Sequence, residues 1–501
     1  MVPHLPQHHH AAGRAGHRDG RHPHLPARLE PVSLATHGRT VREPAPGHGR
    51  SPVLLPTRRR LGSNDGLREP DHNSGPRPLP LLPARVHRKH RLQRGEGVNT
   101  AKPLGSSTRP AVHFTAPDGW LNDPLGVTWR NGRYELFYQA LPGANAWNPR
   151  CRWGHATSPD LLTWTHHPIA LEPGDDELGC WSGGLVLPDL ASALSARVYY
   201  TSVDEPDMNL GTVRLARPAD DGWQRWNKGH IVVTPPPGED LRVFRDPVVL
   251  RDGDRWRMLV GAGYRDGTPA VLTFVSTDLE DWTYDGVLAS TRTSPTGSLP
   301  SGEAWECPQL LQIGSRHVLV VSTWRDGTTH EVLAGVGSFE DGRMRVERWQ
   351  RLTHGAGHYA ATEFVDAEGE PCLLFWIREV ADVDGAWTGV LSVPYRLSLD
   401  NAITDQVRLT PHPAVLAPGA DSRRTGVRHL VLADGNAIHL TPTDHNPSPI
   451  EVRYERGTVT VTSYGTQTVV HDAPGPVHVL VDSPVVEVCT GTALVGFGTR
   501  T

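Results

Sequence analysis

The chain has 501 residues, with 50 Lys+Arg against 55 Asp+Glu, which allows two or three domains or one large β domain with an attachment. Five scattered cysteines without CxxC spacing indicate neither a disulfide framework nor a zinc site. No run approaches the roughly 18 apolar residues of a membrane span.

Residues 1–105 form the first region. The first hundred residues contain no Phe, Tyr, Trp, Cys or Ile, and hold 12 of the 27 His and 17 of the 50 Lys+Arg against 7 acids. Such a segment cannot bury enough apolar surface to offset the entropy of ordering, so it is expected to be disordered. Two origins fit it: a basic tail, or an upstream frame translated from a mispredicted start, with Gly95-Glu96-Gly97 encoding a purine-rich ribosome site before a GTG start at Val98. The His8-His9-His10 run and the basic patches lack the aromatic interleaving expected of a nucleic-acid surface. Neither Met1 nor Val98 begins a signal peptide, and a cytoplasmic location is expected. The remaining residues carry 33 basic against 48 acidic side chains, which argues against nucleic acid and suits a small neutral substrate; without a long apolar run, no membrane partner is expected.

From 106 to 400 the pattern is all-β. Short Val/Leu/Tyr/Trp-rich runs alternate with Asn-Gly and Asp-Gly turns, and five two-strand units can be superposed. The first starts at Asn122-Asp123-Pro124 and turns at Asn131-Gly132. The second starts at Trp181-Ser182-Gly183. The third starts at Arg245-Asp246-Pro247 and turns at Asp252-Gly253. The fourth starts at Glu306-Cys307-Pro308, and the fifth starts at His358-Tyr359-Ala360 and turns at Glu368-Gly369. Aligned on Asp123, Ser182, Asp246, Glu306 and Tyr359, the steps are 59, 64, 60 and 53 residues. Ser158-Pro159-Asp160-Leu161 and Ser276-Thr277-Asp278-Leu279 echo each other two steps apart and are expected to close outer-strand turns. A step near 60 residues predicts a five-bladed β-propeller. In such a ring the leading ends of the innermost strands face one axial funnel, which gathers Asp123, Asp246 and Glu306. Each acid alone reads as a solvated turn carboxylate; three at one blade position read as a site. Most of the 15 Trp are expected to fill the seams between blades, Trp376 among them.

From 401 to 501 the aromatics thin out and short alternating strands resume at Val452–Tyr454, Val459–Thr462, His478–Val481 and Val485–Val488. They predict a small C-terminal β-sandwich packed on the propeller.

The three acid-bearing segments, with Trp153-Gly154-His155-Ala156 and Cys180-Trp181-Ser182-Gly183, resemble the β-fructosidases of glycoside hydrolase family 32. The resemblance spans residues 112–400, more weakly the tail, and implies the same propeller-plus-sandwich fold. It implies that Asp123 is the nucleophile, Glu306 the general acid/base and Asp246 the holder of the fructosyl hydroxyls. It further implies substrate-binding roles for Asn122, Gln139, Trp147, Trp181 and Ser182, to which the motif neighbours Arg245 and Tyr359 are added. Glu303 is the rival proton donor. No metal or cofactor is implied. Two departures stand out. Leu125 replaces the family's Asn after Asn-Asp-Pro, and Gly357-His358-Tyr359-Ala360 replaces Asp-Phe-Tyr-Ala. Both bear on the choice between sucrose and longer fructans.

Such chemistry needs a carboxylate on one face of an oxocarbenium-like centre and a proton donor toward the leaving oxygen, about 5–5.5 Å apart for retention. The expected activity is hydrolysis of sucrose or short fructooligosaccharides through a covalent fructosyl-enzyme. The alternatives are a fructosyltransferase or an exo-acting levanase or inulinase on the same scaffold, and a non-catalytic fructan-binding propeller.

Overall fold

The computed structural model describes residues 109–382, 384–400, 405–417, 427–440 and 450–498; the basic segment 1–105, with His8-His9-His10, lies outside the described residues. The expected all-β architecture is found. Five blades of antiparallel strands surround an axis, and a two-sheet sandwich follows.

Blade one is built from Gly119–Arg130, Arg133–Leu141, Arg152–Ser158 and Thr165–Leu171, and blade two from Gly179–Val186, Arg197–Val203, Thr212–Pro218 and Trp226–Val233. Blade three comprises Leu241–Asp252, Arg255–Tyr264, Pro269–Ser276 and Thr283–Ser290, and blade four Ala304–Ile313, Arg316–Arg325, Thr328–Glu340 and Arg343–Arg351. Blade five has His358–Val365 innermost, then Pro371–Ala381, Tyr395–Asp400 and Gln406–Pro411, so its sheet runs on to Pro411. The short strand Trp387–Leu391 pairs antiparallel with Pro371–Ala381 of blade five and parallel with the start of blade one, matching Gly119 with Trp387 and Trp120 with Thr388. That contact closes the ring and leaves no free edge between the first and last blades.

The local chemistry explains the hairpins. At Asn131-Gly132 both residues have positive φ (50° and 75°), the conformation a two-residue turn needs to match the strand twist. The echoed Asp160 and Asp278 behave alike. Each accepts backbone N–H bonds from the two residues that close its turn (Leu162 and Thr163; Glu280 and Asp281), before the outermost strand. The apolar residues fall into seams, one between each pair of blades. Leu125, Phe137, Trp153 and Tyr200 join blades one and two; Tyr199, Phe244, Met258 and Leu272 join two and three. Burial of such side chains contributes about 1.5–3 kcal/mol each.

The sandwich stacks Asn436–Leu440, Ile450–Glu455, Thr458–Ser463 and Thr466–Val470 on a five-stranded sheet. That sheet contains Val427–Leu432, Val477–Asp482, Val485–Cys489 and Leu494–Gly498, and its fifth strand, Thr353–His354, comes from the link between blades four and five. No helix among the described residues is long and apolar enough to cross a membrane.

Candidate active site

Every blade loses strand register at the aligned position. The slips fall between Leu121 and Pro124, between Trp181 and Gly183, between Arg245 and Val248, between Glu306 and Gln309, and between Tyr359 and Thr362. Such bulges re-aim a side chain that regular pleating would send into the sheet. At three of them a non-glycine residue is held at positive φ: Asp246 (61°), Cys307 (46°) and Ala360 (49°). In blade two the bulge needs Gly183, since a Cβ there would lie 2.0 Å from the Tyr199 carbonyl oxygen.

The five bulges aim into one cavity of about 620 Å³. Asp123, Asp246 and Glu306 all line it, and so do Asn122, Gln139, Trp147, Trp181, Ser182, Arg245 and Tyr359. The catalytic and substrate-binding candidates therefore all line one funnel. The rival donor Glu303 does not. It is on the rim, paired with Arg242 at 2.9 Å.

Asp123 sits in a closed hydrogen-bond circuit. The Asn122 amide donates to Asp123 Oδ1 (3.0 Å) and to Gln139 Oε1 (2.8 Å). Gln139 Nε2 donates to Ser182 Oγ (2.6 Å), and Ser182 Oγ donates to Asp123 Oδ2 (2.5 Å). The Trp120 indole N–H donates to Asn122 Oδ1 at 3.0 Å and so fixes which way that amide points. Burial raises the Asp123 carboxyl above its usual range, while Ser182 and Asn122 pull it back.

Glu306 is held from both sides. Arg245 Nε donates to Oε1 at 2.7 Å, and the Tyr359 hydroxyl contacts Oε2 at 2.5 Å. That hydroxyl also reaches the Thr323 carbonyl at 3.1 Å, so its single hydrogen has two acceptors. Arg245 lies between the rings of Trp181 and Trp324, 5.7 and 5.2 Å from their centroids, and its other arm donates to Asn209 Oδ1 at 3.0 Å. Asp246 accepts the Cys307 N–H at 3.1 Å. Burial, and then the charge of Glu306, push Asp246 up to about 7 against the pull of Arg245. The Cys307 thiol, 3.7 Å from Asp123 and 3.6 Å from Asp246, is driven well above its ordinary value by burial and these charges and stays protonated.

Trp376 is core as expected, 8% exposed, and also lines the cavity with its ring 5.7 Å from that of Trp120. The structure corrects one expectation. Leu125 does not face the site. It is 2% exposed, packed with Phe137 and Trp153 between blades one and two, so exchanging Asn for Leu there alters a seam and not the cavity wall. Sequence reasoning missed Asn209, Asp207 and Met208 from a loop of blade two, and Trp324, Thr328 and Thr329 from a hairpin of blade four. Nothing in the repeat marks them: Asp207, Met208 and Asn209 lie on a loop, and Trp324, Thr328 and Thr329 lie at the strand ends beside a hairpin turn, away from the aligned position.

His155 of Trp-Gly-His-Ala is fully buried, bonding Glu135 at 2.8 Å, and is an internal strut. Among the described residues, Asp366, Cys372 and His412 form the one grouping with metal-ligand chemistry. Its carboxylate is already occupied. Arg396 and His412 take one oxygen (2.8 and 3.2 Å), and the backbone N–H groups of Glu368 and Glu370 take the other at 2.9 Å.

A five-bladed propeller with a carboxylate-lined axial funnel, backed by a β-sandwich, is the class that fold and site define. Residues 113–413 match the family model of the glycosyl hydrolases family 32 N-terminal domain, and the chain belongs to that family. Among curated relatives, it is 32% identical over 318 residues to a sucrose-6-phosphate hydrolase of Escherichia coli (59% of this chain, 64% of that protein). It is 32% identical over 310 residues to a raffinose invertase of the same organism (58% and 62%). The matched region thus spans less than two thirds of the length of these relatives. Among solved structures, a β-fructofuranosidase of Bombyx mori superposes with a TM-score of 0.65 at 24% identity, covering 79% of this chain and 89% of that one. Fructan 1-exohydrolase IIa of Cichorium intybus superposes at 0.62 and 19% identity, covering 78% and 91%. At these identities the likeness is one of fold.

Proposed function

We propose that this chain is a retaining β-fructofuranosidase that hydrolyses sucrose or short fructooligosaccharides. The observation that carries the reading is the convergence of Asp123, Asp246 and Glu306 in one funnel, with the first ringed by donors and the last between Arg245 and Tyr359.

In the first half-reaction an Asp123 oxygen bonds to the anomeric carbon as the bond to the leaving oxygen breaks, and the Glu306 proton passes to that oxygen. Tyr359 suits both states of Glu306. It can donate to the carboxylate, or turn its hydrogen to Thr323 and accept the proton of the acid. In the second half-reaction Glu306 takes a proton from water, which attacks the anomeric carbon and frees Asp123. Asp246 receives the fructosyl hydroxyls. Trp147, 47% exposed and edge-on to Trp181 at 5.6 Å, offers an aromatic platform where the leaving sugar enters.

A neutral substrate fits better than a phosphorylated one. The charged side chains lining the cavity are Asp123, Asp207, Asp246, Glu306 and Arg245, and Arg245 is already bonded to Glu306 and Asn209. A phosphate dianion near any of these carboxylates meets a repulsion of about 4 kcal/mol per charge pair at 4 Å and an effective dielectric constant of 20. Fructose release measured across sucrose, sucrose-6-phosphate, inulin and levan tests this. Sucrose and short oligomers should be turned over fastest, and a preference for sucrose-6-phosphate would overturn the neutral-substrate reading. Oligosaccharides longer than the substrate at high sucrose would instead reveal a transferase.

A further inference from the structure

The sandwich reaches the funnel through a path that the fructosidase reading does not use. Glu487 sits in Val485–Cys489 of the five-stranded sheet, 1% exposed, and is the acceptor at the centre of a buried knot. Its Oε1 accepts from His113 Nε2 (2.7 Å) and from the Val393 N–H (2.9 Å). Its Oε2 accepts from His358 Nε2 (2.6 Å) and from the Tyr395 hydroxyl (2.9 Å). His358 is the first residue of blade five's innermost strand, and the next residue is Tyr359, whose hydroxyl rests on Glu306.

The same contact explains the departure at Gly357-His358. The sandwich strand Leu494–Gly498 approaches this turn backbone to backbone. A Cβ on Gly357 would lie 2.0 Å from the Gly496 carbonyl oxygen, and a Cβ on Gly496 would lie 2.5 Å from His358 Cε1. No aspartate fits at 357. An imidazole at 358, fully buried, finds a carboxylate from the sandwich instead. Loss of the acid and gain of the histidine are therefore one adaptation to close docking.

Beyond His358 the backbone is not free to adjust. Tyr359 is the last residue paired before the register slip, facing Trp376, and Ala360 follows at positive φ. From the other side Arg378 lies under the Tyr359 ring at 5.0 Å, with its own donors spent on the carbonyls of Gly357, Thr329 and His330. A shift at His358 is therefore passed to Tyr359, its neighbour in the strand.

We propose that Glu487 and His358 are positioning residues for the acid/base: by anchoring the start of blade five's inner strand on the sandwich, they hold the Tyr359 hydroxyl against Glu306. The proposal rests on the fructosidase reading of the funnel. The charged and titratable groups facing His358 and Glu487 are His113 and Asp482, paired at 2.8 Å, with the Tyr395 hydroxyl and, beneath Tyr359, Arg378.

Leaving-group dependence tests it, because only a poor leaving group needs the proton of Glu306. Sucrose and p-nitrophenyl β-D-fructofuranoside are compared in the full-length wild type and in His358→Phe, His358→Asn and Glu487→Gln, with Tyr359→Phe as the reference and thermal unfolding to verify folding. In His358→Phe, kcat/KM on sucrose should fall about tenfold, a fraction of what a general acid supplies. The alkaline limb of its pH profile should move as it does in Tyr359→Phe, while the aryl fructoside stays within about twofold of wild type. His358→Asn, which keeps a donor toward Glu487, should recover most of the loss, and Glu487→Gln should fall between. Parallel loss on both substrates would reduce the pair to a structural strut, and no change on either would remove it. A wild type that cleaves neither substrate would fail the fructosidase reading itself, and this proposal with it.

Discussion

Three carboxylates meet in the funnel around a single bonded guanidinium, Arg245, whereas at the seam between blade five and the sandwich two carboxylates, Asp482 and Glu487, meet two imidazoles, His113 and His358. The two clusters lie close together, one residue apart at His358 and Tyr359, and their electrostatics run in opposite directions. In the seam both nitrogens of His113 face carboxylates, 2.8 Å from Asp482 and 2.7 Å from Glu487. Burial opposes the charged ring, but the two carboxylates outweigh it and lift His113 to about 9, and Glu487 is held well below the usual carboxylate range. In the funnel burial wins. Asp123 is raised, and Asp246 reaches about 7. The difference teaches where this fold tolerates strained carboxyls: in the seam carboxylates meet imidazoles at the docking surface, while in the funnel burial outweighs the donors that ring Asp123 and the pull of Arg245 on Asp246.

The largest way to break the contrast is to remove a funnel acid. Asp123→Asn should lower fructose release from sucrose by at least about 10⁴-fold with an unfolding midpoint no lower than that of the wild type; substantial residual turnover would take the nucleophile's role from Asp123. Glu306→Ala should lose about 10²–10⁴-fold on sucrose and recover in part with azide, while Glu303→Ala, which breaks only the rim pair with Arg242, stays near wild type. If Glu303→Ala shows the azide rescue, the two roles exchange.

On the seam side the readout is stability. Glu487→Ala leaves buried histidines without their acceptor and should cost about 3–5 kcal/mol, seen as a lower midpoint in denaturant. His113 has a folded value raised above the ordinary 6.5, so its contribution is complete below pH 6.5 and is lost as pH rises toward 9.

The smallest and sharpest test is Asp246→Asn. Asp246 is raised, so between about pH 4 and 7 the folded protein binds more protons than the unfolded chain, and stability falls as pH climbs through that window. Removing the carboxyl should therefore stabilise the free protein by about 1–2 kcal/mol at pH 8, with the gain shrinking as pH falls toward 4, while activity is lost. A destabilised Asp246→Asn at pH 8 would show that the funnel is not the strained cluster.

Much of the fold was legible because its determinants are local. Asn-Gly and Asp-Gly turns and alternating strands recur in each blade, and the recurrence itself pointed to one position per blade facing the axis. Asn209 and Trp324 were not legible. They reach Arg245 from a loop of blade two and a strand end of blade four, and only the curvature of the ring decides which neighbour overhangs which strand. Glu487, set among Val485, Val486 and Val488, reads in sequence as one polar residue in a strand; its burial depends on a surface at His358, 129 residues away in the chain. Leu125 shows the converse, a motif departure that in sequence touches the site and in space lies in a seam.

By itself the sequence determined the turns, the repeat and which three acids share one blade position, since these follow from short local patterns and their recurrence along the chain. Tertiary structure decided which way those acids point, through a register slip in every blade. It also decided which of them burial raises and that the sandwich meets His358, next in the chain to the Tyr359 that touches Glu306, because burial and charge pairing are properties of what the ring and its neighbour bring together.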